Sequence, residues 1–242
     1  MSLKDRVAFI TGASGGIGKE ICLSLAKEGV KVVLFGGTKK EKLIETAKLL
    51  EEFGGALGVY AGDLTDDSTL SALFEKAIKE IGKIDILINN AGMAFNCDFE
   101  KTQTAILDKI MNINFRSPYL LTQKALPYIK KSDRASIINI ASVVAHNGYP
   151  QQSAYVASKH ALLGFTKSLA NEVYNDGVRV HAISPGGVYT DMIKIARPDL
   201  TGEGMIMPSE IADIVVFLLK NRGNAVIDEI VVHRVNKQPF LN

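Results

Sequence analysis

The sequence predicts an α/β protein: a single doubly wound domain over its 242 residues, with about seven parallel strands and helices on both faces. Three observations predict it. Short β-branched runs alternate with stretches of helical periodicity. Several runs are apolar at nearly every position, as burial on both faces requires. Turns rich in glycine and asparagine follow the runs, where such a sheet binds its ligands.

The predicted strands are Val7 to Ile10, Val32 to Phe35, Leu57 to Tyr60, Ile86 to Ile88, Ile137 to Ile140, Val178 to Ile183 and Ile230 to Val232. Each is too short for a helix and is bounded by Gly, Asn, Asp or Ser. Lys40 to Phe53 and Ser68 to Ile81 carry leucines and alanines at helical spacing. Asp66 or Asp67 is the expected N-cap of the second, and Gly54 and Gly82 the expected stops. Pro208 suits the first turn of a last helix reaching about Lys220.

A net charge of +2, without a Lys/Arg run, speaks against nucleic-acid or membrane partners. Two cysteines, Cys22 and Cys97, suggest neither a disulfide framework nor a zinc site. Cys22 is expected to pack on a helix and Cys97 to lie in a loop. The apolar runs are too short for a signal peptide or a membrane span, so a cytoplasmic location is expected.

Thr11 to Gly18 reads TGASGGIG, leaving the first strand and opening the first helix. Gly12 suits a tight turn, Gly16 a close backbone approach to a phosphate, and Gly18 close packing of the helix. Free amides at the helix start would face a pyrophosphate. With this Gly-x-x-x-Gly-x-Gly spacing, the chain resembles the short-chain dehydrogenase/reductase family, a Rossmann-type fold, over essentially its whole length.

The resemblance implies a nicotinamide cofactor along the loop Gly12, Ser14, Gly16, Ile17 and Gly18. Asp63 and Leu64, after the third strand, match the family pair beside the adenine, although an Asp after a strand is also a common turn former. In NNAG, Asn90 is expected to be scaffold that ties the central strands, while Ala91 and Gly92 line the cofactor. Pro185, Gly186, Val188 and Thr190 match the segment that shapes the nicotinamide pocket.

Tyr155 and Lys159 stand four residues apart and share one face of a helix. A neighbouring ammonium favours a phenolate and lowers the tyrosine pKa from about 10. In the family, the tyrosine passes a proton to the substrate oxygen, and the lysine also bonds the nicotinamide ribose. Ser142, in NIASVV, matches the residue that holds the substrate oxygen. Asn114, in MNINFRSP, matches the asparagine that holds a lysine-linked water, with Asn112 the competing choice. The implied reaction moves a hydride between NAD(P)(H) and a carbonyl or alcohol. An epimerase or dehydratase, or a cofactor-binding protein without turnover, are the alternatives.

Val144, His146 and Tyr149, with Ser142, are candidate substrate contacts; Met93, Phe95 and Met192 sit near the same pocket mouth. The remaining histidines, 160, 181 and 233, show no obvious partners. The segment from Asp191 to Met207 is short, which suggests an open pocket. After the second strand come Gly36, Gly37, Thr38, Lys39 and Lys40, with no acid to bond a ribose diol. Gly37, Thr38 and Lys39 can meet a 2′-phosphate, so NADP(H) is expected over NAD(H). Residues 225–240, AVIDEIVVHRVNKQPF, depart from the family's usual carboxy-terminal pattern. The resemblance also implies a homotetramer or homodimer paired through the helices around Asn114 and Tyr155.

Overall fold

A computed structural model describes residues 2–191, 193 and 201–237. Seven parallel strands form one sheet in the order β3-β2-β1-β4-β5-β6-β7. They are β1 Val7–Thr11, β2 Lys31–Gly36, β3 Ala56–Ala61, β4 Ile86–Asn89, β5 Ser136–Ile140, β6 Arg179–Pro185 and β7 Glu229–Val232. All seven expected strands are present, each within a residue or two of its expected bounds.

Period-two alternation sends successive side chains to opposite faces of this sheet. Val7, Phe9, Val33 and Phe35 pack against α3 (Asp67–Ile81), α5 (Ser117–Ile129) and α6 (Ser153–Val173). Ala8, Ile10, Val32 and Leu34 pack against α1 (Gly16–Lys27), α2 (Lys40–Leu49) and α7 (Pro208–Lys220). Phe9 sits at the centre of an aromatic group, 5.4 Å from the Phe35 ring and 6.3 Å, edge-on, from Phe74. Burial on both faces is what lets these strands read as continuous apolar runs.

The helix ends follow local chemistry. Asp66 is the N-cap of α3, its carboxylate accepting from Thr69 N at 2.8 Å, and Gly82 ends the helix in the left-handed region at φ 82°. The second helix is shorter than expected: α2 stops at Leu49, and a 3-10 turn over Glu51–Phe53 carries the chain to Gly54. Cys22 is fully buried on α1, and burial raises its thiol pKa.

The segment that the strand–helix pattern left open, between β4 and β5, is one long helical run. Helix α4 (Thr104–Met111) passes through a π-turn at Asn112–Arg116 into α5. Pro118 has no amide hydrogen to give the Asn114 carbonyl, so the regular ladder cannot continue there. The bond shifts by one residue, and Ser117 donates its amide to Asn112 O. The strand order reverses between β1 and β4, which places a ligand crevice at their carboxyl ends.

Candidate active site

Four loops meet at that crevice: the glycine turn after β1, residues 89–98 after β4, residues 141–152 after β5, and residues 186–190 after β6. In the first, Gly12 has φ +66° and Gly16 φ +52°. A Cβ on Gly18 would sit 2.1 Å from Gly12 O and 2.5 Å from Asn90 Nδ2, and one on Gly12 would sit 2.7 Å from the same nitrogen. Only glycine allows this approach. Nothing lies within 4 Å of the Cβ position of Gly15, so the loop surface is open above the start of α1. Ser14 and Ile17 are part-buried beside it, and the Thr190 methyl lies 3.2 Å from the Cβ position of Gly16. An open turn of closely packed glycines at a helix amino terminus fits a pyrophosphate.

Asn90 locks this turn to β4. Its Nδ2 donates to Thr11 O at 3.0 Å and Gly12 O at 3.2 Å. Thr11 Oγ1 accepts from both Asn90 N and Ala91 N at 3.0 Å. Asn90 thus ties the end of β4 to the end of β1, the two central strands, and the neighbouring Asn89 carries a second tie onwards to β5. Asn89 Nδ2 donates to Thr122 on α5 and to Asn139 on β5, and Asn139 in turn donates to Thr166 on α6. Asp63 is exposed and accepts from Thr65 N and Oγ1, bonds that hold its carboxyl below its ordinary value. Leu64 is buried.

Lys159 is 5% exposed, and its Nζ donates to Ile140 O at 2.8 Å. Burial disfavours its charged form and brings its pKa down to about 8. Tyr155 lies one turn earlier on α6, its ring centroid 6.0 Å from that ammonium. Burial pushes the phenol pKa up, and a hydrogen bond with Ser142 opposes the rise. This reverses the lowering expected from Lys159: desolvation outweighs a charge that is itself buried and turned to the Ile140 carbonyl. Ser142 caps a 3-10 turn over Val143–Ala145, donating to Pro185 O and accepting from Val144 N, both at 3.3 Å.

Asn114 is completely buried. Its Oδ1 accepts from Met93 N at 2.8 Å, and its Nδ2 donates to Met93 O and Ser158 Oγ at 2.9 Å. Ser158 then donates to Tyr155 O at 2.7 Å. A Cβ on Gly92 would lie 3.0 Å from Asn114 Oδ1 and 3.7 Å from Lys159 Nζ, so Asn114, Gly92 and Lys159 are neighbours. Asn112 is only part-buried and offers its carbonyl to Ser117. Ser158 carries no sequence signal of its own; only the fold shows that it joins the π-turn to α6.

The other candidates lie around this group. Gly186 N donates to Val232 O at 2.8 Å, following Pro185 out of β6, and Val188 bridges to Ile206. Gly37, Thr38 and Lys39 form an exposed loop after β2. Val144 is buried and Tyr149 is 42% exposed. His146 is held by Glu229, its Nε2 2.7 Å from the carboxylate. Contrary to the sequence reading, His160 and His181 also have partners, the carbonyls of Val156 and Ile227. Cys97 lies in the loop after β4, its amide donating to Gln151 O. Met192 and residues 194–200 of the segment from Asp191 to Met207 lie outside the described residues. No helix among the described residues is long and apolar enough to cross a membrane.

The short chain dehydrogenase family model matches residues 6–201. The 3-oxoacyl-[acyl-carrier-protein] reductase of Thermotoga maritima is 32% identical over 240 residues, which is 96% of this chain and 97% of that one. The crystal structure of the 3-ketoacyl-(acyl-carrier-protein) reductase from Brucella melitensis, complexed with NADH, superposes with a TM-score of 0.85 at 30% identity, covering 96% of this chain and 97% of its own. An alcohol dehydrogenase from Thermococcus sibiricus, complexed with 5-hydroxy-NADP, reaches a TM-score of 0.89 at 25% identity and covers 98% and 99%. The chain belongs to the short-chain dehydrogenase/reductase family of oxidoreductases.

Proposed function

We propose that this protein is a dehydrogenase/reductase that transfers hydride between NADP(H) and the carbonyl or alcohol carbon of a small molecule. The convergence of Ser142, Tyr155, Lys159 and Asn114 beside Gly92 carries this reading. A nicotinamide, when bound there, would supply the hydride or take it up. The glycine turn from Gly12 to Gly18 would hold its pyrophosphate, Asp63 and Leu64 would border the adenine, and Ala91 with Gly92 would line its path. Pro185, Gly186, Val188 and Thr190 wall the nicotinamide end.

In reduction, Tyr155 gives its phenolic proton to the substrate oxygen. A phenol held protonated by burial is charged with its proton before substrate arrives. Ser142 donates to the same oxygen and stabilises the charge that develops there. Lys159, poised near pH 8, returns a proton towards Tyr155 and holds the ribose. Asn114, fixed by three hydrogen bonds, keeps the inner end of that proton path in place. Val144 and Tyr149 face the substrate side.

Tyr155→Phe tests the reading. It keeps the ring and removes the proton, so NADPH oxidation in a screen of carbonyl compounds should fall at least 1,000-fold with NADPH affinity within threefold. Turnover within a few-fold of wild type would refute the role.

NADP(H) is preferred because no acidic side chain lies between Val32 and Lys40, and Gly37, Thr38, Lys39 and Lys40 are all exposed after β2. Tighter binding of NADH than of NADPH by calorimetry would overturn this. The assembly is a homotetramer or homodimer. Leu162 and Leu169 of α6 are buried, but Phe165 packs with Phe115 and the 43%-exposed Tyr119 into an outward aromatic patch. A monomer by light scattering at micromolar concentration would exclude it.

A further inference from the structure

Glu229, in the segment that departs from the family's carboxy-terminal pattern, reaches back to the loop that carries Ser142. Glu229 is the first residue of β7, on the edge of the sheet. Its Oε1 accepts two hydrogen bonds, from His146 Nε2 at 2.7 Å and from Ser184 Oγ at 2.5 Å. The carboxylate is 19% exposed and the imidazole 26%, while Ser184 is fully buried. A carboxylate only accepts, so Nε2 carries the hydrogen and the ring is held in one tautomer.

His146 closes the 3-10 turn that Ser142 opens. Ala145 N donates to Ser142 O at 2.9 Å, and His146 N donates to Val143 O at 3.1 Å. The turn is short and internally bonded, so its two ends move together. One end rests where Ser142 Oγ donates to Pro185 O until a substrate oxygen takes that hydrogen, and the other is fixed where Glu229 takes the His146 ring. Both anchors stand on adjacent, register-matched strands, Pro185 opposite Val232 and Ala182 opposite Glu229.

We propose that Glu229 is a positioning residue: by clamping His146 to β6 and β7 it sets where Ser142 presents its hydroxyl to the substrate oxygen. This rests on the reading of Ser142 given above. Because both bonds fall on a single oxygen, the clamp needs an acceptor at that place and not a negative charge. The amide of glutamine can do the same work, and alanine cannot.

The test compares Glu229→Ala and Glu229→Gln with wild type, using NADPH and ethyl acetoacetate as the probe. The tautomer of ring-¹⁵N-labelled His146 is read by NMR, assigned with His146→Asn. Glu229→Ala should lower kcat about tenfold or more, leave the NADPH dissociation constant within twofold, and lose the fixed Nε2–H signal. Glu229→Gln should keep that signal and recover kcat to within threefold. A kcat for Glu229→Ala within twofold of wild type, or a Gln variant as impaired as the Ala variant, would overturn the proposal. Should wild type reduce neither ethyl acetoacetate nor any other carbonyl, the oxidoreductase reading fails. The clamp is then judged on the ring signal alone, and an unchanged signal in Glu229→Ala refutes it.

Discussion

Lys159→Met should make the protein more stable at neutral pH while abolishing its chemistry. Lys159 is 5% exposed, and burial moves its pKa from 10.5 to about 8. That drop, at about 1.4 kcal/mol per pH unit, means that the buried ammonium costs about 3 kcal/mol at pH 7. The sign follows from proton binding: between pH 8 and 10.5 the unfolded chain holds more protons than the folded one, so wild-type stability rises with pH across that window. Methionine fills a similar volume without a charge, but the Ile140 carbonyl loses a donor, at about 1–2 kcal/mol. The net gain expected at pH 7 is about 1–2 kcal/mol. It should shrink by about 2.5 kcal/mol by pH 10, where the wild-type lysine is neutral when folded. Urea unfolding of both proteins at pH 7 and pH 10 measures it. A stability difference that does not change between the two pH values would refute the account of Lys159 as a buried, strained cation. Together with lost NADPH oxidation, the gain would mark Lys159 as kept for function at the expense of stability.

Other substitutions probe the frame around the site. Gly18→Ala places a Cβ 2.1 Å from Gly12 O, so the loop must shift; NADPH affinity should fall at least tenfold, and an unchanged dissociation constant by calorimetry would contradict the cradle. Asn114→Ala strips partners from Met93 N, Met93 O and Ser158 Oγ, and should cost about 2–4 kcal/mol in denaturant unfolding along with most of the turnover. A loss below about 0.5 kcal/mol would mean that water replaces the side chain without penalty. Phe9→Ala empties the centre of the aromatic group, at about 3–5 kcal/mol and a clear fall in Tm. A Tm within about 2 °C of wild type would show that the core there collapses freely.

The strands were legible because a sheet covered on both faces asks for unbroken apolar runs, and Val7 to Ile10 or Ile137 to Ile140 satisfy that locally. The glycine turn was legible for a similar reason: steric demands at Gly12 and Gly18 leave a mark in residue type. Ser142, Tyr155, Lys159 and Asn114 stood out through spacing and family likeness. Less visible were the devices made of ordinary residues. The π-turn at Asn112–Arg116 depends on a missing amide at Pro118, and a proline near a helix start usually signals nothing unusual.

What the sequence determined by itself, then, is the alternation of strand and helix, the positions that must be glycine, and the residue types available at the crevice. These are local consequences of side-chain period and backbone sterics. Only the tertiary structure decided the electrical and positional facts. Whether Lys159 lowers the Tyr155 phenol or is itself driven towards neutrality depends on how much water the packed loops exclude, which no spacing encodes. Likewise Glu229 and His146 are 83 residues apart in the chain. Their contact exists only because β7 lands beside β6, where parallel pairing brings a carboxylate to the far end of the turn that begins at Ser142.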